Sequence, residues 1–434
     1  MHLEKLTCGE SDRKDRSKRR AKLAAIACAQ LLLTPFANAA DIPLDRAIDQ
    51  AIETAEVGDL SEAARRETQS YRQAAAALPN PSLFYERETL DGSGATSDSR
   101  ETTFGIAAPL DFIWKRASRV EAAELRGELA QLQIEDQRRQ LSQEVATLFV
   151  EYEANQLESQ RHEAVHVALD RAKAVATASV ETGDAPPTLL QRVELAIARH
   201  AFGESRLQSD QLSIRSRFAA LLGDSTASPA LNSIASLGSG ISSESQAKET
   251  ALQNRPDLRA AQALVSWKQA EQKAARREGL PDVSIEAAQK EDNIGRDGVY
   301  LGLSVELPIF DRKQGASNIA AAASLRAEVA YRQIQRKVEA QASAAFLQWK
   351  ARDENWRRLA ETLSVTRNAE ALLVSVEASF EAGESSLFEY LDTVEAYLEA
   401  AEHEIDLQRD LRLAAIELAS VTATPLQTKQ LFSK

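Results

Sequence analysis

One kind of junction occurs twice in this chain and limits what it can fold into. Leu307-Pro308-Ile309-Phe310-Asp311-Arg312-Lys313-Gln314-Gly315 follows an alternating strand pattern and precedes a long, proline-free helical pattern. A similar strand-to-helix junction occurs earlier, at Ala108-Pro109-Leu110-Asp111-Phe112-Ile113-Trp114-Lys115-Arg116. A chain that makes this transition twice reads as one unit duplicated.

Other segments match in the same order. Leu78-Pro79-Asn80-Pro81 pairs with Leu280-Pro281-Asp282-Val283, and Gly105-Ile106 with Gly302-Leu303. Arg119-Val120 pairs with Asn318-Ile319, and Glu181-Thr182-Gly183-Asp184 with Glu381-Ala382-Gly383-Glu384. The offsets (281−79, 302−105, 318−119, 383−183) are 202, 197, 199 and 200. Small insertions fall between the matches, where loops belong.

The runs after each junction are too long for a compact core. Lys115 to Val180 holds no proline and one glycine, Gly127, with Leu141, Val145, Leu148 and Tyr152 at helical spacing. A continuous helix there spans roughly 95 Å at 1.5 Å per residue. Ala316 to Ala382 is the second such run. Gly183 and Gly383 turn the runs back, and return helices follow at 188–222 and 387–421. Aromatics are only 5% of the 434 residues, which favours long helices over a globular core.

Before each junction the periodicity is two. Phe104, Ile106, Ala108 and Leu110 share one face of a strand, with Ser82–Glu88 as its hairpin partner. Val283–Glu291 and Gly298–Leu307 form the second hairpin, with Val299, Leu301, Leu303, Val305 and Leu307 on one face and Tyr300, Gly302, Ser304 and Glu306 on the other. About ten residues with one apolar and one polar face fit a tilted strand crossing a bilayer beside a water-filled lumen. Four strands cannot close a barrel, and open edges are not tolerated in lipid. Three copies give twelve strands, enough for an open lumen.

The division expected is a signal peptide over 1–39, a first repeat over 40–222 and a connector over 223–247. A second repeat over 248–423 and a tail over 424–434 complete it. The first repeat divides into a β-hairpin at 82–110 and a helical hairpin at 115–222, and the second into the same at 283–308 and 312–423. Asp41 to Ala77 reads as one helix, and another helix runs to Glu278. The leader has a basic region (Arg13–Lys22), a short apolar run (Leu23–Phe36) and an Ala37-Asn38-Ala39 cleavage site. Removing it takes both cysteines, Cys8 and Cys28, and the single methionine. It holds eight Lys/Arg and four Asp/Glu, so the mature net charge is −13 − 4 = −17, which disfavours nucleic acid. Ala25-Ile26-Ala27-Cys28 faintly resembles a lipidation site.

The repeats, the Leu78-Pro79-Asn80-Pro81 and Leu307–Gly315 segments and the two glycine reversals resemble TolC-type outer-membrane efflux proteins, over essentially the whole mature chain. Asn80-Pro81, Trp114–Val120 and Phe310–Gly315 are closest to the cobalt–zinc–cadmium branch. The implied fold is mixed and mainly α. Each chain of a homotrimer gives four strands to an outer-membrane β-barrel, which a periplasmic α-helical coiled-coil tunnel continues. The implied role is a non-enzymatic exit duct, without cofactor or resident metal, serving a periplasmic adaptor and a proton-driven inner-membrane pump of the RND type. The cargo implied is divalent heavy-metal cations; drug or protein export by the same duct is the alternative.

The resemblance also implies site residues. The periplasmic gate carries over onto Glu389 and Asp392, three apart on one helix face, giving two acidic rings in a trimer. The family has Asp where this chain has Glu389, and Gln191 is the first-repeat counterpart of Asp392. Gly183, Asp184, Gly383 and Glu384 are the tips that would meet the adaptor, and Pro109, Arg116, Pro308 and Gly315 mark the strand–helix junctions.

One motif points elsewhere. His162-Glu163-Ala164-Val165-His166 fits H-E-x-x-H, the zinc-protease signature. Leu169 and Ala172 stand where a longer metzincin pattern needs Gly and His, so the histidines read as incidental surface groups on a tunnel helix. A periplasmic coiled-coil adaptor is a further alternative, but it would lack the two amphipathic hairpins.

Overall fold

A computed structural model describes residues 41–90, 99–224, 228–230, 240–362 and 364–425. The expected leader with Cys8 and Cys28, and nearly all of the C-terminal tail, lie outside the described residues. Helices dominate. They are α1 (Leu44–Thr54), α2 (Val57–Ala76), α3 (Phe112–Glu181), α4 (Pro187–Leu222), α5 (Glu244–Asn254), α6 (Pro256–Arg277), α7 (Gln314–Thr362), α8 (Ser364–Glu381) and α9 (Leu387–Thr422). The strands are β1 (Asp41–Ile42), β2 (Ser82–Leu90), β3 (Ser99–Pro109), β4 (Ser228–Pro229), β5 (Asp282–Asp292) and β6 (Asp297–Glu306).

The four long strands form one antiparallel sheet in the order β2-β3-β5-β6. The two hairpins are joined along β3 and β5, with Gly105 opposite Ala288 and Phe104 opposite Gln289. Pairing carries the period-two pattern across all four strands. Leu83 faces Ile106, Tyr85 faces Phe104, and Ile285 faces Leu303, so these apolar side chains share one face. That face is bare: Val299 is 82% exposed and Leu301 76%. The opposite face carries Glu86, Glu101, Glu286 and Lys290, and Lys290 pairs with Glu101. β2 and β6 each keep one unpaired edge.

The 70-residue α3 extends roughly 105 Å at 1.5 Å per residue. Its single glycine has a steric reason. A Cβ on Gly127 would lie 2.1 Å from Thr68 Cγ2, where α2 crosses α3. The two repeats pack alike. In the first, Leu44, Ala47 and Ala51 of α1 cover Val145, Leu148 and Phe149 of α3, and Phe149 meets Phe218 of α4 edge-on at 5.5 Å. In the second, Ala247 and Ala251 of α5 cover Val338, Ala342 and Phe346 of α7, with Leu418 and Val421 of α9.

Three expectations need correction. The helix expected over 41–77 begins with β1 and breaks at Glu56, whose φ of 52° is left-handed; Gly58 follows in the first turn of α2, and burial of Val57 accompanies the break. The helix expected to run to Glu278 is two, because Pro256 pushes Arg255 into an extended conformation (φ −63°, ψ 120°). The connector is not featureless: β4 pairs in parallel with β1, and α5 begins at Glu244, capped by Ser243 accepting from the Gln246 amide.

Candidate functional site

The two helical reversals are built alike. After α3, the Asp184 amide donates to Ser179 O at 2.9 Å and the Gly183 amide to Val180 O at 3.2 Å. After α8, the Glu384 amide donates to Ser379 O at 2.8 Å and the Gly383 amide to Phe380 O at 3.0 Å. This crossed pair is the Schellman ending of a helix, and it needs a left-handed residue. Gly183 (φ 82°) and Gly383 (φ 74°) supply it. All four tip residues, Gly183, Asp184, Gly383 and Glu384, are exposed.

α9 leaves the second reversal with Ser386 Oγ accepting from the Glu389 amide at 3.2 Å. Leu387, Tyr390, Val394, Tyr397 and Ala401 are buried at three- and four-residue spacing, a coiled-coil seam. The first four pack on Val165, Ala168, Leu169, Ala172 and Ala176 of α3 and Val193 of α4. Tyr390 anchors the seam: its hydroxyl donates to Ala168 O at 3.3 Å and its ring stacks on Phe380 at 4.7 Å. With that face fixed inward, Glu389 and Asp392 project outward, and both are exposed. Among the described residues neither has an ion-pair partner. Across from them, Arg192 lies over the Phe388 ring at 4.7 Å, and Arg199 pairs with Glu395 at 2.8 Å.

At the first strand–helix junction β3 ends at Pro109 and α3 begins within three residues. Arg116 Nε donates to Ala76 O at 2.7 Å, closing α2 against α3. The residue beside it matters more. Lys115 is 2% exposed and bonded to Asp282 at the start of β5, with Asp111 at 3.7 Å and Glu278 at 3.9 Å. One ammonium thus ties α3 and the end of α6 to the sheet. A lysine within the junction sequence gives no sign that carboxylates more than 160 residues away converge on it. At the second junction Pro308 follows β6, and an exposed loop through Phe310 reaches α7. Gly315 has open space around it. The glycine that sterics require is Gly279, whose Cβ would lie 2.4 Å from Arg312 O.

Of the two H-E-x-x-H histidines, His166 stays partly exposed as expected, but His162 is not an incidental surface group. His162 is 4% exposed. Its Nδ1 is 3.2 Å from His200 Nε2 and its Nε2 is 3.0 Å from Glu402 Oε1. Glu163 points to solvent. Both His162 ring nitrogens are used and the motif's Glu is turned away, so this is not a zinc-protease centre. A Cβ on Gly203 would lie 2.7 Å from His162 Cε1, so that glycine makes room for the ring. Burial holds the His200 imidazole below the ordinary value of 6.5, against the opposing pull of Glu204.

Among the described residues no helix is long and apolar enough to cross a membrane. The model of a family described as outer membrane efflux protein matches residues 248–424. Solved structures share the fold. The crystal structure of CusC, described in terms of folding and transmembrane channel formation, has a TM-score of 0.67 at 17% identity, covering 89% of this chain and 94% of that one. The outer membrane protein VceC of Vibrio cholerae gives 0.65 at 16% identity, covering 88% and 97%. The CmeC outer membrane channel of Campylobacter jejuni gives 0.66 at 15% identity, covering 89% and 87%. No curated protein matches by sequence. The family model thus covers the second repeat, and the solved structures share the fold over most of the chain.

Proposed function

We propose that this chain is the outer-membrane exit duct of a tripartite efflux system. Three copies close a twelve-stranded barrel, and their helices form a tunnel across the periplasm. One observation carries this reading: a four-stranded sheet with a bare apolar face, a charged opposite face and two unpaired edges, continued by a helix of 70 residues. Alone in water such a sheet exposes both its edges and its apolar face. Closed with two more copies in lipid, it buries both and faces its charges to water.

Glu389 and Asp392 form the gate, as acidic rings that favour cations. The exposed tips at Gly183–Asp184 and Gly383–Glu384 dock a periplasmic adaptor, which couples the duct to an RND-type pump in the inner membrane. The duct does no chemistry, and its cargo is divalent heavy-metal cations. The Asn80-Pro81 and Phe310–Gly315 segments support that branch.

The test is conductance of the purified protein in planar bilayers. Discrete, cation-selective openings are expected; a folded, detergent-stable oligomer that stays silent both as wild type and as E389A/D392A would sink the reading. Deletion in the host is expected to raise sensitivity to zinc, cadmium and cobalt. Sensitivity to drugs alone would retain the duct and reject the cargo.

A further inference from the structure

We propose that His166, His200 and Glu204 form a binding site for a divalent transition-metal ion, with Zn²⁺ as the fitting species, at the seam of α3 and α4. One ligand atom from each lies within 4.8 Å of the other two. Glu204 Oε1 is 3.8 Å from His166 Nδ1 and 3.9 Å from His200 Nδ1. Two imidazoles and one carboxylate, with a position left for water, are a donor set zinc accepts. Tetrahedral ligands at about 2.05 Å stand about 3.4 Å apart, so small side-chain rotations close the site. His200 and Glu204 are one helical turn apart on α4, and His166 comes from the facing helix.

The neighbouring hydrogen bonds make the site more than a chance cluster. Glu402 can only accept when ionised, so His162 donates to it from Nε2. The neutral His162 then presents a bare Nδ1, which accepts from His200 Nε2 at 3.2 Å. His200 therefore carries its proton on Nε2, and its Nδ1 lone pair faces the Glu204 carboxylate. Two acceptors facing each other cannot bond directly; a cation between them satisfies both. Glu402–His162–His200 is a carboxylate–imidazole chain of the kind that orients metal-binding histidines. His162 is thus a positioning residue, and Gly203 gives its ring the space. His166 and Glu204 are partly exposed, leaving the site a path to water.

The site stands about 20 Å along α4 from the hairpin tip. It does not rest on the transport reading. Metal binding without conductance would remove the duct alone, and conductance without metal binding would remove the site alone.

The test uses the full-length oligomer, purified in detergent and stripped with EDTA. It is titrated with Zn²⁺ by calorimetry and with Co²⁺ by visible absorption. One ion per protomer and tetrahedral Co²⁺ bands are expected. H166A and E204Q, on the wetter side, are each expected to weaken Zn²⁺ by at least about tenfold and to remove the Co²⁺ bands. H162Q is expected to weaken binding roughly 10- to 100-fold while keeping the stoichiometry and the bands. Size exclusion of each variant checks assembly. Zn²⁺ binding by the wild type no tighter than by an assembled H166A/E204Q double variant overturns the proposal.

Discussion

Gly183 and Gly383 stand 200 residues apart and close their helices with the same crossed pair of backbone hydrogen bonds. The agreement extends residue by residue, Ser179 with Ser379 and Asp184 with Glu384 as the acceptor and donor ends. Yet nothing lies within 4 Å of a Cβ built on either glycine. Backbone conformation, not packing, holds glycine at both tips.

Alanine at either tip therefore meets no clash but must occupy the left-handed region, which costs about 1 kcal/mol. Gly183→Ala is expected to speed amide exchange across 179–184 roughly fivefold and leave the rest of α3 unchanged. Gly383→Ala should do the same at 379–384. Unchanged exchange in both would show that the turns do not depend on the glycines. If these tips dock an adaptor, both variants also weaken its capture.

The break between α5 and α6 carries a pH-dependent contribution to stability. Arg255, almost wholly buried, donates to both oxygens of Asp257, at 2.9 and 2.6 Å, and to Gln341 at 2.7 Å. Burial alone would raise the Asp257 carboxyl, but the guanidinium outweighs it and holds the group below its ordinary value of 3.8. A depressed carboxyl stabilises the fold fully above the unfolded value, and that contribution is lost as pH falls through the folded one. Asp257→Asn is therefore expected to cost about 1.5–3 kcal/mol at pH 7. The gap in denaturation midpoint should close as pH drops below the ordinary value. A constant gap from pH 7 to 3 would contradict this account.

The sheet gives a matched pair of glycine tests. A Cβ on Gly105 would lie 2.5 Å from Ala288 Cβ and 2.6 Å from Phe84 Cζ, at the seam between the hairpins. Gly298, at the start of β6, meets nothing within 4 Å. Gly105→Val is expected to abolish the folded oligomer on semi-native gels, and Gly298→Val to leave it near wild-type yield. Equal yields would mean that the β3–β5 seam does not form as described.

The plan of this fold was legible because it repeats and because each element keeps one period over a long run. Val299–Val305 alternate strictly, and 115–180 contains no proline and a single glycine. What stayed hidden depends on contacts between distant residues. The break at Glu56 is marked locally only by Gly58, and the turn accompanies burial of Val57. Gly279 and Gly127 look like any other glycines until another backbone or side chain crosses them. The His162 network is hidden in the sequence for the same reason. Its partners lie 38 and 240 residues away, so H-E-x-x-H showed only one wall of a three-helix cluster. The outward aim of Glu389 and Asp392 was readable in part: spacing put them on one face, but Tyr390 and Val394 were needed to show that the opposite face is the buried one.

That orientation leads to the sharpest expectation for the gate. Tyr390 fixes α9 against Ala168, so substitutions at 389 and 392 change charge without moving the helix. If Glu389 and Asp392 line the proposed gate, E389A/D392A is expected to raise single-channel conductance and to reduce cation preference, since two acidic rings would disappear from the constriction. E389Q/D392N, which keeps the side-chain size, should reduce selectivity with a smaller change in conductance. Tyr390→Phe removes one hydroxyl hydrogen bond and keeps the ring on Phe380, so selectivity should stay near wild type. The pattern separates charge from packing. If the Gln/Asn pair behaves as wild type while Tyr390→Phe changes selectivity, the gate lies in the packing of α9, and the acidic rings have no part in it.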